Sequence, residues 1–248
     1  MSHRAYIFVR NDWNYAQFSN QPPEAIGLIH FLDKSVKIDR TRGSWWRGFQ
    51  PILLLGIRRI VHGSDHFLFL FVLLLAVPLL AAGRHWGGFR GVKPSLLHLL
   101  RSIAGFIAGQ SLALVVGGMG WWRLPGAWIE ILIALTILLS AIHALRPWFA
   151  GLEPLATGIF GVLYGFANAT SIAPFGYSPW HMAMTILAFT LGVELAQIAI
   201  VLFIIPPLIL LSRTALYSLI RIPCAATAVL VAIAWLGLRV YNLSKGIA

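Results

Sequence analysis

The stretch HMAMTILAFTLGVELAQIAIVLFIIPPLILL, residues 181–211, decides the fold. Its one Asp, Glu, Lys or Arg is Glu194, and as a helix it would extend about 45 to 50 Å, more than the ~30 Å hydrocarbon core of a bilayer requires. A run of this length and apolarity needs lipid as its solvent. Working outward, the same pattern recurs at roughly 52–82, 98–119, 126–146, 155–173 and 222–242. The chain is 58% hydrophobic and 11% charged, with a mean hydropathy of +0.79. A soluble domain of 248 residues could not wrap enough surface to hide six such runs. The expected fold is all-α, a polytopic transmembrane bundle of about six spans (six or seven) over residues 51–248, with residues 1–50 as an extramembrane tail.

The first and fifth runs are longer than one crossing needs, so tilt or a break is expected, and Pro206-Pro207 supplies a cause in the fifth. The tail is mixed polar and aromatic, with Asn20 to Pro23 read as a turn, Ile26 to Leu32 as an amphipathic piece lying on the membrane, and Trp45-Trp46 as interfacial anchors. It holds no apolar core followed by a small-residue cleavage site, so no secretory signal peptide is expected, and a cytoplasmic N-terminus fits.

The formal charge of +11 comes from basic residues that flank the apolar runs: seven of the 19 Lys and Arg precede Pro51, and Arg84, Arg90, Lys93 and Arg101 separate two spans. Lipid headgroups, not nucleic acid, are the partners this pattern implies. The basic counts on the two sides nearly match and leave orientation open. One cysteine, Cys224, gives no disulfide framework. Small residues at four-residue spacing, Gly105 with Gly109 and Gly158 with Gly161 and Gly165, predict close helix packing.

Ionisable groups inside a span cost about 2.5–3.5 kcal/mol each and so turn inward and pair. The densest set is Arg58-Arg59-Ile60-Val61-His62-Gly63-Ser64-Asp65-His66. On one continuous helix His62, Asp65 and His66, at i, i+3 and i+4, would share a face and could converge on a cation. Glu194, with Gln197 one turn on, is the deep acid of the fifth run, and Glu130 sits near the start of the third. Two buried carboxylates facing each other need a metal ion, a proton or an arginine between them. His98, His143 and His181 lie near span ends, where water or headgroups satisfy an imidazole, and receive no role. No nucleophile constellation or complete metalloprotease motif is present, so no enzyme is expected.

Four ordered blocks resemble the HupE/UreJ family, small membrane proteins regarded as nickel or cobalt permeases accessory to hydrogenase and urease. They are Gly56 with Gly63-Ser64-Asp65-His66-Phe67-Leu68, Trp128-Ile129-Glu130, Gly161-Val162-Leu163-Tyr164-Gly165-Phe166-Ala167, and Phe189-Thr190-Leu191-Gly192-Val193-Glu194-Leu195-Ala196-Gln197. The resemblance covers about residues 50–242 and implies a bacterial inner-membrane protein. It also marks three departures. The histidine of the family's G-x-x-H-I-x-x-G-x-D-H block falls on Arg59, that of its second-span element on Gln110, and that of its G-L-x-H-G-F element on Tyr164. Guanidinium has no lone pair for a metal and repels a divalent cation, while glutamine and neutral tyrosine are weak ligands.

Two readings follow. In the first, Asp65, His66 and Glu194 are balanced by Arg59 within a network that includes Gln110, Glu130, Tyr164 and Gln197, and the protein has become a non-transporting scaffold or accessory subunit of a membrane complex. In the second it is a working nickel or cobalt permease whose rearranged site is His62, Asp65, His66 and Glu194, with Gln110 and Tyr164 lining the path.

Overall fold

The computed structural model describes residues 4–9, 12–17, 24–30, 43–172 and 179–246. In the tail, β1 (Arg4–Val9) pairs antiparallel with β2 (Glu24–His30), and a short 3-10 helix covers Trp13–Tyr15. The amphipathic piece expected from Ile26 is therefore a strand as far as His30; its last two residues, and the turn expected at 20–23, lie outside the described residues.

Seven helices follow among the described residues: α1 (Trp45–His62), α2 (Ser64–Ala76), α3 (Val92–Gly118), α4 (Gly126–Leu145), α5 (Glu153–Ile172), α6 (Pro179–Leu211) and α7 (Leu216–Ser244). Helices α3 to α7 are each long and apolar enough to cross a membrane, and α1 and α2, bent by 65° at the break between them, pass the same test of length and apolarity only as a pair. Leu202, Phe203 and Leu230 stand exposed on the outside of the bundle, as side chains solvated by lipid do. This is an all-α polytopic membrane protein.

The first run has the break that its length led one to expect, and departs from expectation at its end. The break falls at Gly63, whose backbone is extended (ψ 91°). Arg59 and His62 occupy the last turn of α1, where cations offset the negative helix pole, and Asp65 occupies the first turn of α2, where an anion meets unpaired N–H groups. The charges thus match two helix ends better than one helix middle. Helix α2 stops at Ala76, because the expected continuation to residue 82 folds instead as a hairpin of β3 (Leu79–Ala82) and β4 (His85–Phe89), turned at Gly83 with φ +63°. The fifth run shows no break: α6 continues through Pro206 and Pro207. Both prolines lie within the last six residues of the helix, so the carbonyls that lose N–H partners are near its end.

Two helix pairs carry the closest packing. Helix α3 runs parallel to α5, with Gly105 and Gly109 against Pro154 and Gly158, and Gly161 and Gly165 against Phe106 and Gln110. A Cβ at Gly109 would press on the Gly158 carbonyl and lie 3.1 Å from Val162 N, so only glycine permits this approach. Helix α1 meets α6 the same way through Gly56 and Gly192. Trp13 of the tail is buried against this pair, stacks on His181 at 5.9 Å and donates from Nε1 to Trp45 O at 3.0 Å. Glycine seams of this kind let helices associate in lipid, where burying leucine gains little.

Candidate functional site

The bend at Gly63 divides the residues expected on one helical face. His62 ends α1 in an exposed position, its Nδ1 held 3.1 Å from Arg58 O, while Asp65 and His66 open α2 in another direction. The one-face arrangement of His62, Asp65 and His66 is thus corrected: it requires a continuous helix, and this helix is broken between the first and second of them.

His66 enters the bundle core and is 4% exposed. Tyr164 of α5 packs edge-on against its ring at 4.9 Å, Phe106 of α3 does so at 5.8 Å, and Phe69 lies one turn further along α2. From α6, Gln197 Nε2 lies 2.7 Å from His66 Nε2. An amide nitrogen has hydrogens and no lone pair, so it donates and the imidazole Nε2 accepts. In this arrangement the Nε2 lone pair is engaged by the amide. Tyr164 also donates from its hydroxyl to Asp65 O at 3.5 Å, which ties α5 to the start of α2.

Beside His66 a cavity of about 440 Å³ opens where α1 ends and α2 begins, flanked by the start of α4 and the last turns of α5 and α7. Arg59, Ser64, Asp65, Glu130, Thr170 and Arg239 supply its polar wall. Arg59 Nε donates to Asn168 Oδ1 at 3.3 Å. It shares the cavity with Asp65, but no nitrogen of it comes within 4.0 Å of the carboxylate. Glu130 is instead bound by Arg239, whose Nε lies 3.5 Å from its carboxylate and whose Nη1 donates to its backbone oxygen at 2.9 Å.

Glu194 does not join this cavity. It is half-buried, and Ser111 Oγ of α3 donates to its Oε1 at 3.5 Å. No nitrogen of Arg59 comes within 4.0 Å of either carboxylate, so Arg59 does not bridge Asp65 to Glu194. Gln110 is fully buried against the α5 glycines, with neither side-chain polar atom hydrogen-bonded among the described residues. Among the described residues, no three His, Cys, Asp or Glu side chains group so as to hold a metal ion.

Several residues here escaped the sequence reading. Asn168, Ser111 and Arg239 all contact its members; Asn168 is an amide in an apolar helix like Gln110 and Gln197, but unlike them it falls on no position that the family resemblance marks. His143 is corrected too. It is not at a wet span end but 2% exposed, stacked at 3.7 Å on Phe149 and covered edge-on by Trp86 of the hairpin.

Five apolar helices of spanning length and a bent helix pair, packed around a buried polar centre, define a polytopic helical membrane protein. The family model described as HupE / UreJ protein matches residues 33–239, most of the chain, and this protein belongs to that family. No curated protein and no solved structure matches it. Its class is therefore that of membrane proteins of the metal-permease type.

Proposed function

We propose that this chain is a non-transporting member of its family, an accessory or scaffold subunit of a complex in the bacterial inner membrane. The observation that carries the reading is the Gln197–His66 hydrogen bond, which takes the imidazole lone pair a metal would need. The neighbourhood agrees with it. Arg59 sets a fixed positive charge in the Asp65 cavity, and the positions where the family pattern has histidine carry Arg59, Gln110 and Tyr164. In this role the polar centre joins α2, α5 and α6 in one geometry, and the glycine seams hold the bundle rigid for a partner subunit. Nothing in the site is assigned chemical catalysis.

One observation favours a second reading, a working nickel or cobalt permease. The Asp65 cavity is open to one end of the bundle, so a hydrated cation could reach a carboxylate next to His66. Uptake of radioactive nickel and cobalt by cells expressing the unmodified chain separates the two. The scaffold reading expects accumulation equal to that of cells lacking the protein. Uptake that is saturable, and abolished by Asp65→Asn, would establish the permease instead.

A further inference from the structure

A second cavity lies at the far end of α4, away from Asp65. It measures about 640 Å³ and is lined by Arg84, His85, Ile142, Arg146, Pro147 and Trp148, between the β3–β4 turn and the α4–α5 connection. Its size falls in the range of small-ligand sites, and its ionisable lining is two guanidiniums and an imidazole with no carboxylate.

Other features of this end leave the two arginines uncommitted. The last carbonyls of α4, which would repel an anion, are covered. Arg146 N–H donates to Ile142 O at 2.8 Å, Trp86 Nε1 to His143 O at 2.8 Å, and Arg221 Nη1 to Ala144 O. Neighbouring cations are also occupied, since Arg90 Nε donates to Leu79 O at 2.9 Å and Arg213 lies over the Phe89 ring at 5.4 Å. The described carboxylate at this end, Glu153, is buried and faces His98 at 3.7 Å. Among the described residues, the Arg84 and Arg146 side chains have no hydrogen-bond or ion-pair partner, and both are exposed.

We propose that this cavity binds the phosphate headgroup of an anionic phospholipid, Arg84 and Arg146 clasping the phosphodiester from two sides. Arg146 directly follows the end of a 20-residue span, at the depth where headgroups lie. Trp148 projects from the cavity wall, 65% exposed, and an indole in that position belongs at the boundary between acyl chains and headgroups. That ring commits the site to a lipid, because a soluble phosphate would gain nothing from it. The same chemistry explains why unpaired arginines are tolerated here: the bilayer supplies the missing charge.

The test uses the full chain purified in detergent and titrated with phosphatidylglycerol or phosphatidylcholine, the bound lipid being read by native mass spectrometry. Phosphatidylglycerol is expected to bind in preference to phosphatidylcholine. That preference should fall about fivefold in Arg84→Gln or Arg146→Gln and about thirtyfold in the double variant, one near-surface cation each. Arg84→Lys with Arg146→Lys should keep most of it, and Arg123→Gln at the opposite end all of it. The single variants keep the test open if the double variant does not fold. Equal binding of phosphatidylglycerol by the wild type and a folded glutamine variant overturns the proposal. So does displacement of the lipid by millimolar inorganic phosphate acting through the same two arginines, which would mark a site for the soluble anion.

Discussion

Replacing Gln197 with leucine isolates the bond on which the functional reading rests. The two partners are 4% and 5% exposed, and aromatic rings of α2, α3 and α5 pack around the imidazole. Water cannot take the place of the lost amide, so Nε2 stays unsatisfied at a cost of about 1–3 kcal/mol. Interhelical hydrogen bonds in bilayers average about 0.6 kcal/mol and reach about 1.7, because the unfolded reference state also finds partners. A bond of 2.7 Å between two buried side chains belongs near that upper end, about 1.5 kcal/mol, or roughly tenfold in the folding equilibrium. His66→Phe should suit the same aromatic surroundings, and with both polar groups gone the double variant should recover most of the loss. The assay is reversible unfolding of the four proteins in mixed micelles titrated with sodium dodecyl sulfate. If Gln197→Leu costs the same whether position 66 is His or Phe, to within about 0.3 kcal/mol, the bond carries no coupling and the reasoning fails.

Three further outcomes are expected. Gly109→Ala places a methyl group against the Gly158 backbone, so α3 must shift from α5 and the protein should lose about 1–3 kcal/mol of stability in the same assay; an unchanged midpoint would contradict the packing described. Trp13→Ala removes the ring stacked on His181 and the bond to Trp45 O, worth about 3–5 kcal/mol by analogy with buried aromatic deletions. The tail should then be cut by protease ahead of α1 at least tenfold faster while α3 to α7 remain intact. Glu130→Gln loosens a pair whose carboxylate side chain is 63% exposed, and should move stability by no more than about 1 kcal/mol.

The spans were legible because lipid imposes a crude rule, length and apolarity, that residues such as 126–145 and 181–211 meet without help from tertiary contacts. The polar centre was legible as a set of residue types and not as a geometry. Spacing arguments assume one continuous helix, and the charges at Arg59, His62 and Asp65 were themselves the signal of two helix ends meeting at Gly63. The hairpin escaped because Leu79–Ala82 continues the apolar composition of α2, so a hydropathy reading sees no boundary; the positive-φ turn at Gly83 makes it. Asn168 escaped for a different reason, since its part depends on Arg59 reaching across from another helix, a contact that no local pattern records.

The central claim is that Gln197 engages the His66 lone pair and that the Asp65 cavity, with Arg59 in its wall, holds no metal ion. Metal content after equilibrium dialysis of the purified chain against nickel or cobalt, beside the Arg59→His/Gln110→His/Tyr164→His variant, tests it most directly. The account predicts no stoichiometric metal on the wild-type chain, and a gain of binding by the variant that restores three imidazoles. One ion per wild-type chain, lost on Asp65→Asn, would contradict it.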